Sequence, residues 1–241
     1  EGQAVLKTLL FDLDGTLLDI DGESFFTAYL QEVGRRFAHV APPERFVALL
    51  LKGTRLMLAN RDPTRTNQEV FAHFFFPAVG RPAEELLPEF DRFYREVFPS
   101  FQGFGKPVPA APRVLEAALG RGMEVVVATN PVFPMAAMRE RIRWAGLENY
   151  PFRLVTSYEV MHACKPHREY FEEVLAKVSR APEECLMVGN DAVDDMAASL
   201  AGIRTFLLED RAVKRDGSPF KPDLRGGWPD LLKLICSEPG G

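Results

Sequence analysis

Apolar residues along this chain follow two regimes. Short β-rich runs that do not alternate with polar positions, Leu9 to Phe11, Val125 to Ala128, Phe152 to Val155, Leu186 to Val188 and Ile203 to Leu208, are separated by stretches of helical period. Such runs bury both faces, as strands of a parallel sheet do, and the helical stretches between them supply the crossovers. The predicted fold class is α/β, a Rossmann-like parallel sheet flanked by helices. Residues 20–102 differ: Phe26, Leu30, Val33 and Phe37 repeat at three- and four-residue steps, as do Leu86, Phe90, Phe93 and Val97, with no strand-like run between them. This predicts an all-helical cap over 20–102, inserted into an α/β catalytic core made of 1–19 and 103–241. Asp19 to Gly22 and the Pro/Gly-rich Gly103 to Pro109 are its expected connections. A helix near 111–120 and a last one from Trp228 to Ile235 belong to the core, and residues 210–227 read as a long loop.

Each strand-like run stops at polar residues. Asp12 and Asp14, one residue apart, follow the first; Thr129 and Asn130 follow the second; Thr156, Ser157 and then Lys165 follow the third; Asn190, Asp191 and Asp195 follow the fourth. Open parallel sheets bind ligands beyond the carboxyl ends of their strands, so these tips would deliver carboxylates, a hydroxyl and an ammonium to one crevice. Asp12 and Asp14 share a side of an extended strand, and Gly15 lets the chain bend behind them. Paired carboxylates suit a hard cation such as Mg2+, which takes oxygen ligands and keeps some waters for a phosphate. An Asp-Gly step alone also marks an ordinary surface turn; the four-part set is far more specific than any member.

Taken in order, these segments resemble the motifs of the haloacid dehalogenase-like (HAD) hydrolase superfamily. Phe11 to Leu18 is similar to its first motif, Thr129 with Asn130 to the second, Lys165-Pro166 to the third and Gly189 to Asp195 to the fourth, over roughly residues 5–210. The resemblance implies a Mg2+-dependent phosphatase of small phosphorylated metabolites. Asp12 would be the nucleophile that becomes an aspartyl-phosphate, and Asp14 the acid/base. Thr129, Asn130 and Lys165 would hold the phosphate, and Asp195 would support the lysine or a metal-bound water. The metal ligands would be Asp12, the Asp14 carbonyl, and Asp191 or Asn190. Most relatives have aspartate where this chain has Asn190, so its neighbour Asp191 is the expected replacement ligand. The second acid, Asp14, separates this chain from the dehalogenase branch, because halide leaves without a proton. A phosphomutase on the same scaffold and a catalytically silent binding module are the alternatives. The helical insertion corresponds to a cap that closes over the site.

Composition agrees and narrows the partners. The chain has 241 residues, 46% of them hydrophobic, enough for a substantial core. Its net charge of −5 offers no broad basic surface for nucleic acid, so an anionic substrate must meet local cations. No run approaches the roughly 18 apolar residues of a membrane span, and no signal peptide is evident. Three cysteines without CxxC spacing suit a reducing compartment, so the expectation is a cytoplasmic monomer or homodimer. Cys164 beside Lys165 reads as a small filler rather than a reactive thiol. Phe71 to Phe76 reads as cap core, and Gly53, between Lys52 and Arg55, as a bend facing the site. Arg35, Arg36 and Arg61 are further cationic residues of the insertion.

Overall fold

The computed structural model describes residues 5–213 and 217–238. Its centre is a six-stranded, all-parallel sheet built from β1 (Thr8–Phe11), β4 (Glu124–Val127), β5 (Phe152–Val155), β6 (Cys185–Gly189), β7 (Arg204–Leu208) and β8 (Leu224–Gly226), in the order β5-β4-β1-β6-β7-β8. β1 and β6, in the middle, are buried along their whole length, which explains their unbroken apolar spelling. The chain first builds leftward from β1 to β4 and β5, then crosses to β6 and builds the other way. That reversal makes the carboxyl ends of β1 and β6 a topological switch point, the place where such sheets leave a crevice.

Helices α5 (Ala111–Gly120), α6 (Met135–Trp144), α7 (Arg168–Val178) and α8 (Trp228–Ser237) belong to this layer, while α1 (Gly22–Arg36), α2 (Pro43–Leu58), α3 (Asn67–Val79) and α4 (Ala83–Glu96) fill the stretch after β1. The four helices of that stretch pack on aromatic rings: Phe37 stacks on Phe46 at 4.8 Å and on Phe90 at 4.6 Å, and Phe46 meets Phe75 edge-on at 5.3 Å. Its two connections are not separate loops. Residues β2 (Leu18–Ile20) and β3 (Gly105–Pro107) pair antiparallel as a short ribbon, so entry and exit are hydrogen-bonded to each other. Gly53 does not bend α2, which runs through it. A β-carbon there would come within 2.7 Å of the Phe71 ring, so the glycine serves close packing of α2 on α3.

The segment 210–227 is shorter as a loop than expected. Leu224–Gly226 adds the edge strand beside β7, and Trp228 at the start of α8 stacks on Phe11 with ring centroids 6.3 Å apart. Phe11 immediately precedes Asp12, so the C-terminal region braces the base of the crevice. We expect Trp228→Ala to cost about 3–5 kcal/mol of unfolding free energy in urea titrations, the range for removing a buried large aromatic.

Candidate active site

The first loop leaves β1 through Asp12 and closes tightly behind it. The Gly15 amide donates to the Leu18 carbonyl at 2.8 Å, and Gly15 itself has φ +78°, a conformation glycine adopts without strain. Asp12 and Lys165 meet across the crevice. The Lys165 Nζ lies 3.0 Å from Asp12 Oδ1 and 2.6 Å from Asp195 Oδ1, so one ammonium bridges the tips of β1 and β6. Lys165 is 1% exposed as a side chain. Burial by itself would lower its pKa, but the Asp12 and Asp195 charges outweigh that and hold the ammonium above its ordinary value. Burial pushes the Asp195 carboxyl up to about 7, against the pull of Lys165 and with help from Asp12. Gly189 makes this contact possible, because a β-carbon there would fall 2.2 Å from Asp195 Cγ.

The second motif is locked from behind. Thr156 Oγ1 donates to the Thr129 carbonyl at 2.8 Å and accepts from the Thr129 amide at 3.0 Å, while the Tyr170 hydroxyl donates to the same carbonyl at 2.9 Å. The backbone is thereby fixed by bonds that leave the Thr129 side-chain hydroxyl unused. Asn130 behaves differently from the expected phosphate donor. Its Oδ1 accepts from the Lys165 amide at 2.9 Å and its Nδ2 faces Asp194 Oδ2 at 3.4 Å, so it ties the second motif to the third and fourth. Asp194 precedes a short 3-10 turn rather than capping an α-helix.

Asp14 has a partner that sequence reasoning missed. Its carboxylate pairs with the guanidinium of Arg141 on α6, which is 2% exposed. The Arg141 guanidinium carbon also sits 5.2 Å from the Phe133 ring centroid and 5.8 Å from that of Phe25. Burial pulls the Arg141 pKa down to about 10, partly offset by the Asp12 charge. Asp14 Oδ1 and Arg141 Nε are buried without partners. The signal for Arg141 was available: it falls on the same helical stripe as the buried Ala137, Met138 and Trp144.

For a divalent cation, the donors present are oxygens, the set Mg2+ prefers. Among the described residues no three His, Cys, Asp or Glu side chains are grouped to hold a metal. Asp14 turns to Arg141, and Asp191 Oδ1 accepts the amides of Val193 and Asp194 at 2.8 and 2.9 Å. Asn190, rather than Asp191, packs on the first loop: its Nδ2 lies 2.3 Å from where a Gly15 β-carbon would be, and its Oδ1 faces Thr16 Oγ1 at 3.4 Å. Of the two expected ligands on the fourth tip, Asn190 lies against the first loop, while one oxygen of Asp191 is taken up by its own turn.

The helical stretch grips the loop that carries Lys165. The Asn67 amide donates to Met161 at 2.8 Å and the Gln68 amide to Tyr158 at 2.8 Å, while buried Asn60 Nδ2 donates to the His162 carbonyl at 2.8 Å and to Asn67 Oδ1 at 3.1 Å. Cys164 is buried and its thiol pushed up to about 12 by that burial, which fits a filler. Arg61 pairs with Glu169 on α7; Arg35 pairs with Glu32 on its own helix, and Lys52 lies over the Phe74 ring.

An open parallel sheet with a carboxylate–ammonium–carboxylate bridge at its switch point is the layout of an α/β protein with a ligand crevice beyond its strand ends. The sequence model of the haloacid dehalogenase-like hydrolase family matches residues 6–202, and the chain belongs to that family. It is 28% identical to a phosphoserine phosphatase of Thermus thermophilus, over 97% of this chain and 99% of that one. It is 24% identical to the pyrophosphatase PpaX of Anoxybacillus flavithermus, over 95% and 97%. Among solved structures, a HAD phosphatase from Thermococcus onnurineus shares the fold with a TM-score of 0.59 at 21% identity, covering 97% of this chain and 99% of that one.

Proposed function

We propose that this hydrolase is a Mg2+-dependent phosphatase of a small phosphorylated metabolite, working through an aspartyl-phosphate on Asp12. The observation that carries the reading is the Lys165 ammonium bonded at once to Asp12 and Asp195 at the switch point. Similarity to two enzymes named for releasing phosphate supports it. Asp12 attacks phosphorus, the bond to the leaving oxygen breaks, and Asp14 delivers its proton to the departing alkoxide. Water then attacks the same phosphorus while Asp14 takes up a proton, and the phosphorus–Asp12 bond breaks to release inorganic phosphate and restore the carboxylate. Lys165 and the Thr129 hydroxyl hold phosphoryl oxygens, and Lys165 keeps Asp12 aimed. Asp195 orients Lys165, and Asn130 orients the backbone beneath it. Arg141 pairs with one oxygen of Asp14 and fixes the orientation of that carboxyl.

Mg2+, when held by Asp12, the Asp14 carbonyl and Asn190, lowers the repulsion between the anionic nucleophile and anionic phosphate. Residues 20–102 act as the cap, gripping the Lys165 loop through Asn60 and Asn67 and keeping bulk water out. No helix among the described residues is long and apolar enough to cross a membrane, and the free cysteines Cys164, Cys185 and Cys236 suit the cytoplasm. The test is inorganic phosphate release from p-nitrophenyl phosphate and a metabolite panel, with Mg2+ and with EDTA. Release that EDTA abolishes and Mg2+ restores is expected. Phosphoryl transfer to a second hydroxyl with no free phosphate would indicate a mutase instead, and no turnover of any compound a silent module.

A further inference from the structure

Resting on the phosphatase reading above, we propose that the substrate's leaving alcohol is an apolar, aromatic-sized group without a second negative charge. It would occupy a cavity of about 400 Å3 enclosed by α1 to α4 and the loop after β4. Such a volume suits one bound organic group. Tyr29, Tyr94, Phe71, Phe76, Phe90 and Phe133 supply its aromatic walls. Phe71 and Phe76 therefore belong only partly to the helical core; their remaining faces line this space.

Two observations place the cavity in line with the chemistry. Phe133 borders it and also lies 5.2 Å from the Arg141 guanidinium that pairs with Asp14, the proposed proton donor to the leaving oxygen. Tyr29 borders it 5.4 Å from Phe133, one helical turn along α1 from Phe25, whose ring lies beside that of Phe133 at 6.3 Å and 5.8 Å from the same guanidinium. Phe133 is thus a wall shared by the cavity and the Asp14–Arg141 pair, and the proposed leaving alcohol lies on its cavity side.

The charge of the lining selects against a second anion. Among the described residues, Glu69, Asp91 and Glu159 line the cavity, and no lysine, arginine or histidine does. Glu159 is fixed there by the Met135 amide at 2.8 Å. Asp91 is exposed at the rim. The buried cation beyond Phe133, Arg141, is already paired with Asp14. A carboxylate on the alcohol would meet Glu159 inside the cavity and Glu69 and Asp91 at its exposed edge, with no cation among the lining residues to receive it. The tyrosines stay neutral: burial pushes the Tyr29 hydroxyl up to about 12, and it shares a 2.8 Å hydrogen bond with Tyr94.

The experiment compares phenyl phosphate, 4-carboxyphenyl phosphate and acetyl phosphate, measuring kcat/KM by phosphate release. The wild type is expected to prefer phenyl over 4-carboxyphenyl phosphate by at least about tenfold. Asp91→Lys should narrow that preference at least about threefold. Ala72→Phe, and independently Thr54→Phe, which project into the cavity, should lower the phenyl-to-acetyl phosphate ratio by at least about tenfold. Equal use of the two aryl phosphates by the wild type, or an unchanged phenyl-to-acetyl ratio in both filled variants, overturns the inference while leaving the phosphatase reading intact. Failure of the wild type to use phenyl phosphate while it releases phosphate from a charged metabolite of the panel also overturns the inference, and absence of release from every compound of the panel overturns the phosphatase reading with it.

Discussion

Asp12→Asn is expected to lower phosphate release by at least about 10³-fold while leaving the melting temperature at or above that of the wild type. An amide retains the shape of the carboxylate but cannot attack phosphorus as an anion, so the step that creates the phosphoenzyme is lost. The stability side follows from the crevice itself. Two carboxylates, Asp12 and Asp195, share the single ammonium of Lys165. Neutralising Asp12 removes the like charge that helps raise the Asp195 pKa and leaves a one-to-one ion pair. Activity and stability thus move in opposite directions, a pattern that general misfolding does not produce. Activity assays paired with thermal melts check both.

Lys165→Met is expected to do the reverse to stability, with activity also lost. Breaking a buried ion pair by removing one partner typically costs about 3–5 kcal/mol, because it leaves uncompensated charge in a dry site. The deficit must depend on pH, and its sign can be worked out. Asp195 already has a folded-state pKa raised to about 7 from the model-peptide value of 3.8, so folding favours its protonated form and its contribution falls as pH rises between those values. Without Lys165 the carboxyl loses its largest charge-stabilising partner, and the falling range extends to higher pH. The raised pKa of Lys165 means its ammonium contributes in full below the ordinary lysine value of 10.5 and is lost only above it, whereas the Asp195 arm of the pairing is ionic only above about 7. The variant should therefore lie closer to the wild type at pH 5 than at pH 8. A deficit that shrinks with rising pH would contradict the account.

What the chain's spelling made legible was the buried middle of the sheet and what hangs from its tips. β1, β4 and β6 are covered on both faces, so selection for apolar residues left little ambiguity, and each ends where a polar side chain is needed. Less legible were features whose cause is pairwise. Gly53 reads as a bend from propensity, yet its reason is the Phe71 ring, which is distant along the chain. β8 is a three-residue edge strand, Leu224–Gly226, too short for a period to register. Arg141 lies in the charge-rich run Arg139 to Arg143 and reads as a solvated face, although its helical position matches the buried stripe. Asn130 carries the right chemistry for a phosphate donor, but its amide is consumed in joining three loops. Asn190 lies against the first loop, while Oδ1 of its more charged neighbour Asp191 accepts the amides of Val193 and Asp194. Lone residue chemistry could not have ranked those two.

The account stands on Asp12 as the atom that takes the phosphoryl group. Acid-quenching the enzyme during turnover of a phosphomonoester, then reducing with borohydride and mapping peptides by mass, converts an acyl phosphate selectively into the corresponding alcohol. Homoserine at position 12, absent from the Asp12→Asn variant and from enzyme without substrate, is the predicted result. Phosphate release at full rate with position 12 unmodified throughout turnover would contradict it.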